Sequence, residues 1–228
     1  MKRLNKKQII PNLTVVISGF PFKTKFGGFG YSSISLIQDA GSNILFDVGH
    51  YAVREKMKEL IKRKRIDHVF LSHLHYDHCL NIDLFAGSKA KIYVNRKEWE
   101  YLDYIRPDDN YTFRFFKQIV PKQNLILFDK DFQISTNVRA IETIGHTIGH
   151  SSLILRWKGK STILAGDAIK TYHEFCGNVV SNPRPYDAAS CKMVKKYIRE
   201  NFDIIIPGHS SAIIKGKSRS DNWRLRPL

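Results

Sequence analysis

One short segment constrains the fold of this chain more than any other: His73-Leu74-His75-Tyr76-Asp77-His78. It places four side chains that can bind a metal within six residues, directly after the apolar run 68–72, which is typical of a buried strand. Imidazoles and carboxylates clustered in this way would carry unmet hydrogen bonds and desolvation costs if nothing neutralised them. We therefore expect the chain to fold so that this segment surrounds a cation.

The ligand types in this segment suit a borderline divalent cation such as zinc. A catalytic zinc site uses about three protein ligands and keeps one position open to water. By itself the segment could give two ligands to each of two adjacent ions, His73 and His75 to one, and Asp77 and His78 to the other. Further ligands must then come from elsewhere in the chain.

Three more candidates stand at predicted turns later in the chain. They are His146 in Gly-His-Thr, Asp167 in Gly-Asp-Ala and His209 in Pro-Gly-His. With them the chain holds seven candidate ligands, which is more than one tetrahedral site can use. The sequence therefore predicts a site for two metal ions.

Strand-like and helical stretches are interleaved in both halves of the chain, which favours an α/β or α+β sandwich. Helices are predicted at about residues 52–64 and 187–200. The predicted strands are 13–18, 32–38, 43–46, 68–72, 125–128, 138–142, 152–157, 161–165, 203–206 and 212–214. No linker rich in proline, glycine and serine divides the chain, and 228 residues can bury one large core. We expect a single domain over residues 1–228, with short basic tails at both ends.

The order of the motifs resembles that of the metallo-β-lactamase superfamily. In chain order they are Asp47-Val48-Gly49, the segment 73–78, Gly-His-Thr-Ile-Gly-His-Ser-Ser at 145–152, Gly166-Asp167-Ala168 and Pro207-Gly208-His209. The resemblance covers most of the chain, and five motifs in this order are far more specific than any one of them. It implies an α+β fold, a four-layer αββα sandwich with the metals at one edge between the two sheets.

The resemblance also implies a role for each motif residue. His73, His75 and His146 would bind the first metal, Asp77, His78 and His209 the second, and Asp167 would bridge the two. Asp47 would orient a ligand histidine from behind, which is a common function of a buried carboxylate beside a metal site. His50 and His150 match no ligand position and are expected to be structural or to line the pocket.

The implied cofactor is zinc, two ions per chain, with Mn²⁺ or Fe²⁺ as alternatives. Two close cations lower the pKa of a bridging water, so that a metal-bridging hydroxide exists near neutral pH, and they polarise the oxygen of the group under attack. Asp77 could accept a hydrogen bond from that hydroxide and pass a proton to the leaving group. Lys170, Tyr172 or His173 could stabilise the oxyanion or protonate the leaving oxygen.

Departures from particular branches of the family narrow the expected reaction. Asp167 stands where class B1 β-lactamases have cysteine, and His75 stands where flavodiiron relatives have glutamate. The ligand set is similar to those of glyoxalase II, the N-acyl homoserine lactonases and ribonuclease Z, but the C-terminal extension of glyoxalase II is missing. The lactonases carry a catalytic tyrosine three positions after the bridging aspartate, which is Lys170 here, and the nearest tyrosine is Tyr172. A zinc hydrolase of a small ester, lactone or thioester is the first hypothesis, with the N-acyl homoserine lactonases as the nearest model.

The net charge of +16 keeps a second hypothesis open, because a basic protein attracts polyanions. An anionic or nucleic-acid substrate would make the protein a metal-dependent phosphodiesterase or ribonuclease, and the basic and aromatic stretch 111–117 is of the kind that contacts RNA. The basic run 62–65 equally fits a solvated helix face. The phenylalanine-rich stretch 19–31 could cover an acyl chain or pack as a hairpin. A non-catalytic metal-binding module is a third, weaker hypothesis.

The sequence also bears on location. No run approaches the roughly 18 apolar residues that a membrane span needs. The three cysteines, Cys79, Cys176 and Cys191, form no CxxC pair. A reducing cytoplasm is therefore the expected compartment. Nothing in the sequence indicates an oligomeric state.

Overall fold

A computed structural model describes residues 7–25, 27–28, 30–177 and 185–216. The expected basic tails fall largely outside the described residues, as do Phe26 and Phe29 of the phenylalanine-rich stretch.

A seven-stranded sheet is built from the first half of the chain, in the order β1-β2-β5-β6-β7-β8-β9. The strands are β1 (Lys7–Ile10), β2 (Leu13–Ile17), β5 (Ile34–Asp39), β6 (Ser42–Phe46), β7 (His68–Phe70), β8 (Lys91–Asn95) and β9 (Leu125–Phe128), and a small hairpin comprises β3 (Lys23–Thr24) and β4 (Gly27–Gly28). Strands β6 to β9 pair in parallel. The chain therefore leaves β6 and β7 at the same edge, where Asp47 and the segment 73–78 follow them.

The second half of the chain forms a six-stranded sheet, in which each strand neighbours the next one along the chain. Its strands are β10 (Phe132–Ser135), β11 (Val138–Glu142), β12 (Ser151–Trp157), β13 (Lys160–Gly166), β14 (Ile204–Pro207) and β15 (Ile213–Ile214). Only β13 and β14 pair in parallel. Asp167 and His209, which follow these two strands, are brought together because parallel neighbours end at the same edge.

Helices cover the outer faces of both sheets. They are α1 (Arg54–Arg63), α2 (Tyr76–Cys79), α3 (Arg96–Tyr101), α4 (Phe116–Ile119), α5 (Tyr172–Phe175) and α6 (Ala188–Asn201), with short 3-10 helices at Tyr51–Val53, Leu80–Phe85 and Lys122–Asn124. Among the described residues, no helix has the length and apolar character needed to traverse a lipid bilayer.

Three apolar clusters define the layers. Phe46 and Phe70 of the first sheet pack with Leu153 and Leu164 of the second in the cluster between the sheets. Two outer clusters fill the space on the far faces, one between the first sheet and α1, and the other between the second sheet and α6. The layers are thus helix, sheet, sheet and helix, which is the fold class expected from the motifs.

Candidate metal centre

The sequence-predicted ligands converge at one edge of the sandwich, where loops from both sheets meet. Four of them form one group, whose ligand atoms all lie within 4.8 Å of one another: His73, His75, His146 and Asp167. The other three form a second group under the same limit: Asp77, His78 and His209. All seven belong to loops or to the first turn of α2, so the strands fix where each loop starts.

The first group is a cluster of buried imidazoles. The ring centres of His73 and His75 are 4.5 Å apart, and each lies within 5 Å of the ring of His146. Burial is the main cause that lowers the pKa of all three rings, to about 4 for His75 and well below the usual value for His73 and His146. Neutral imidazole is the form that binds a metal.

Asp167 lies between the two groups. Its Oδ2 is 3.2 Å from Nε2 of His146, and its Oδ1 is 3.2 Å from Nε2 of His209 and 3.4 Å from Nε2 of His78. Burial raises the pKa of this carboxyl, but Lys170 and the surrounding histidines outweigh burial and hold it well below its usual value. One oxygen therefore faces each group.

Three buried polar atoms in this cluster have no hydrogen-bond partner among the described residues. His73 Nε2, His78 Nε2 and Asp167 Oδ1 are inaccessible to solvent and make no hydrogen bond there. Leaving a buried polar atom unsatisfied costs about 1–3 kcal/mol. A divalent cation in each group would together satisfy all three atoms, and imidazole with carboxylate is the set of ligands that zinc and similar ions prefer. The residues present therefore fit a bound divalent metal.

Asp47 and Ser72 hold two of the ligand rings from behind. Asp47 Oδ2 accepts a hydrogen bond from His78 Nδ1 at 2.8 Å, and the same carboxylate accepts the backbone N–H and the hydroxyl of Ser72. The Ser72 hydroxyl also lies 3.0 Å from Nδ1 of His73. In both His73 and His78, Nδ1 is thus held by a hydrogen bond, and Nε2 is left to bind a metal. The contact expected for Asp47 is present, whereas Ser72 belongs to none of the sequence motifs and was not predicted.

His50 and His150 are buried and do not line the pocket. His150 Nε2 accepts the backbone N–H of Asp167 at 3.1 Å, and its Nδ1 bonds to Thr143 Oγ1 at 2.8 Å. His50 bonds to Gly30 O and Ala52 N–H. His150 is therefore structural, with the specific effect of holding the backbone at Asp167.

A cavity of about 570 Å³ opens over the cluster. His75, Asp77, His146, Asp167 and His209 line it at the metal end, and its other walls include Phe22, Tyr76, Tyr101, Arg106, Asp108, Asp109, Tyr111, Lys170 and Tyr186. Tyr111 stacks on Tyr76 and lies 5.7 Å from the ring of His75. The walls beyond the metal end therefore combine five aromatic rings with four charged side chains.

The three candidates for oxyanion or acid roles are placed differently. Lys170 lines the cavity, and its ammonium lies 3.1 Å from Asp167 Oδ2. Tyr172 packs instead against the apolar cluster beneath α6, and the exposed His173 is not among the cavity-lining residues. Only Lys170 of the three has access to a bound substrate in this arrangement.

Comparison with known proteins places these features in a family. The family model of the metallo-beta-lactamase superfamily matches residues 27–209. An N-acyl homoserine lactonase of Bacillus cereus is 28% identical over 153 residues, which are 65% of this chain and 58% of that protein. A protein of Methanocaldococcus jannaschii named as a probable metallo-hydrolase is 26% identical over 81% of this chain and 91% of its own length.

A solved structure of an N-acyl homoserine lactone hydrolase has the same fold. It superposes with a TM-score of 0.66 at 20% identity, and the match covers 89% of this chain and 94% of that one. That structure holds the product N-hexanoyl-L-homoserine at its catalytic metal centre. At this identity the likeness bears on the fold alone.

Proposed function

Because this chain belongs to the metallo-beta-lactamase superfamily, we propose that it is a metal-dependent hydrolase of a small ester, lactone or thioester. The observation that carries the proposal is the double group of buried ligands at the base of an aromatic cavity. The similarity to lactonases supports a lactone as the first substrate to test.

The proposed cofactor is zinc, two ions per chain, with Mn²⁺ or Fe²⁺ as alternatives. His73, His75 and His146 would hold one ion, and Asp77, His78 and His209 the other, with Asp167 shared between them. When bound, such cations polarise a carbonyl oxygen and make water a stronger nucleophile at neutral pH. The buried atoms of His73, His78 and Asp167 that make no hydrogen bond among the described residues support this assignment.

Two side chains of the cavity would carry the proton and the charge during hydrolysis. Asp77 lines the cavity, and we propose that its carboxylate takes a proton from the attacking water and returns it to the leaving oxygen. Lys170 would hold the negative charge that develops on the carbonyl oxygen. Tyr172 packs away from the cavity, so we assign it no part in this step.

The cavity walls favour a substrate with an apolar arm. Phe22, Tyr111 and Tyr186 are partly exposed at the cavity, and Tyr76 backs Tyr111. Such rings offer a large contact area to an acyl or aryl group. A small molecule of this kind fits a 570 Å³ cavity.

The three cysteines are free thiols, which suits a reducing compartment, and we propose a cytoplasmic location.

The test is a substrate screen on zinc-loaded protein. Acyl homoserine lactones of several chain lengths, aryl esters, a thioester, a phosphodiester and RNA should be compared by kcat/KM. Asp167→Ala, purified in the same way, controls for contaminating hydrolases. We expect the highest kcat/KM on a lactone or ester, and its loss in the variant. Activity on none of these carbonyl substrates, with zinc bound, would contradict the proposal.

A phosphodiesterase or ribonuclease is the second candidate. The net charge of +16 and the cations Arg106 and Lys170 in the cavity wall favour it. Asp108 and Asp109 line the same cavity and would repel a polyanion. A non-catalytic metal-binding module is less well supported, because it would have no use for an open cavity over its metals.

A further inference from the structure

Glu98 is a buried carboxylate that contacts the loops on both sides of the first ligand group. It is 2% exposed and lies in α3. Its Oε2 accepts the backbone N–H of Leu74 at 3.0 Å, and its Oε1 accepts the backbone N–H of Gly149 at 2.8 Å. Each oxygen is thus committed to a different loop.

These two loops carry all three histidines of the first group. Leu74 lies between His73 and His75, and Gly149 follows His146 by three residues. A hydrogen bond to the amide between two ligands fixes the backbone of both. Glu98 therefore sets the separation between the pair His73 and His75 and the third histidine.

The contact with Gly149 depends on a close approach of the two backbones. A Cβ built on Gly149 would lie 2.9 Å from Glu98 Cγ, from Glu98 N and from Asn95 Oδ1. Asn95 caps α3 by accepting the Lys97 N–H, and its amide donates to Glu142. The first turn of α3 therefore packs directly against the loop at Gly149. Because a Cβ at this position would collide with α3, glycine is required there.

None of the ion pairs among the described residues includes Glu98, although Lys97 is its neighbour in sequence. Lys97 pairs with Glu142 instead. A buried carboxylate without a counter-ion is costly, and backbone N–H donors are what stabilise it here. Its hydrogen bonds to the amides of Leu74 and Gly149 both lead to loops that carry candidate ligands, which gives a structural reason for its burial.

We propose that Glu98 is a positioning residue for the metal ion held by His73, His75 and His146. The inference rests on the proposed metal site. Groups that orient ligands typically change metal affinity by about 10–100-fold when they are replaced. The effect should be larger at the first ion, because the amides of Leu74 and Gly149 flank its histidines, whereas Asp77 and His78 lie further along the chain in α2.

The experiment measures zinc affinity by chelator competition in two backgrounds. His209→Ala removes a ligand of the second group, so that zinc binding reports on the first group alone. His146→Ala does the reverse, so that zinc binding reports on the second group alone. Glu98→Gln keeps the size of the side chain but turns an NH₂ group toward one of the two N–H donors, so one bond is lost. We expect about tenfold or greater weakening in the His209→Ala background and less than about threefold change in the His146→Ala background. Glu100→Gln, exposed on the same helix, is the matched control.

A readout that needs no metal accompanies the titration. In the metal-free protein, Glu98→Gln should speed hydrogen exchange at the amides of Leu74 and Gly149, whereas Glu100→Gln should not. Equal weakening in both backgrounds, or none, would overturn the inference. Failure of the otherwise unchanged protein to bind zinc would instead overturn the proposed function, and the inference with it. If Glu98→Gln does not fold, Glu98→Asp, which is too short to reach both loops, takes its place.

Discussion

The two edges of the sandwich differ in whether their buried polar groups make hydrogen bonds. At the edge that carries the candidate metal centre, called the metal edge below, three buried atoms of His73, His78 and Asp167 have no hydrogen-bond partner among the described residues. At the other edge Asp39 is 5% exposed, and both of its oxygens accept hydrogen bonds, from Ser135 Oγ and from the backbone and side chain of Asn137. A satisfied cluster of this kind joins the two sheets and needs nothing more, whereas the unsatisfied one is complete only with a cation.

The largest effect should follow from removing the carboxylate of Asp167, which lies between the two candidate ligand groups. Asp167→Ala should lower kcat/KM by about 1,000-fold, because the loss of several kcal/mol of charge stabilisation corresponds to that factor. Zinc content should fall from about two equivalents per chain toward one. The fold should persist, since the three apolar clusters are untouched. Kinetics, elemental analysis and circular dichroism check these outcomes.

The dinuclear assignment can fail separately. If the unmodified protein saturates at one equivalent of zinc and His209→Ala binds as much, then the second group is not a metal position. If Asp167→Ala keeps near-normal turnover with a full metal load, then the carboxylate is not shared.

Lys170 and Tyr172 provide the next test at the metal edge. Lys170→Ala should lower kcat by about 100-fold, the usual cost of losing one group that stabilises a developing oxyanion. Tyr172→Phe should change kcat by less than about threefold, because that ring packs in the apolar cluster and not in the cavity. Lys170 also helps to balance the charge of Asp167, so zinc content must be measured for both variants. A larger loss for Tyr172→Phe than for Lys170→Ala would reverse the assignment.

The backbone at Lys170 explains why this lysine is well placed. Its N–H donates to Glu174 Oε2 at 2.5 Å, and its carbonyl accepts the His209 N–H at 2.7 Å. Glu174 is buried and forms an ion pair with Lys195 of α6. Glu174, whose charge is balanced by Lys195, thus holds the backbone next to His209 of the second ligand group. The corresponding carboxylate at the first group is Glu98, which forms no ion pair among the described residues.

The metal edge was largely predictable from the sequence, and its supports were not. The candidate ligands, such as His73 and Asp167, are residue types that bind metals, and they stand in motifs at strand ends. Glu98 lies in the charged stretch 96–100, which is typical of an exposed helix, and only the seating of α3 on the loop buries it. Tyr172 was a candidate because it is the tyrosine nearest to position 170, but in the short helix α5 its partly buried ring packs against the apolar cluster beneath α6.

The fold was predicted in the same uneven way. Helix α6 was predicted to within one residue because its apolar residues recur at helical spacing, and strand β9 was predicted because Leu125–Phe128 is an unbroken apolar run. Strand β8 was missed, because Lys91–Asn95 mixes polar and apolar residues without clear alternation and its burial comes from parallel neighbours on both sides. Tertiary pairing of this kind leaves little trace in local sequence.

The salt dependence of activity tests whether the basic run at the edge opposite the metals contributes to substrate binding. The basic run 62–65 is exposed at the end of α1, and Arg65 O accepts a hydrogen bond from Asn43 at the start of β6, so the run lies at the edge opposite the metals. Neutralising it should change kcat/KM by less than about threefold on a neutral substrate. A polyanion would instead lose about 0.7 log units of affinity per neutralised phosphate for each log unit of salt. RNA activity above the lactone activity, with a slope of several units, would favour the nuclease.

The smallest effect on activity is expected from the satisfied cluster at the opposite edge. Asp39→Ala removes the acceptor of three partly buried donors and should lower the free energy of unfolding by about 1–3 kcal/mol, while kcat/KM stays unchanged at a temperature where the variant is folded. Burial raises the pKa of Asp39, but hydrogen bonds from Asn137 and Ser135 outweigh it, so the pKa is lower than in the unfolded chain. The unfolded state therefore takes up the proton first, and the stability that Asp39 contributes is lost as the pH falls below about 4. Denaturant titrations from pH 7 to pH 3 should show the two proteins converging at the acid end. A fall in zinc affinity in Asp39→Ala, measured with the protein folded, would mean that the two edges are coupled through the sheets.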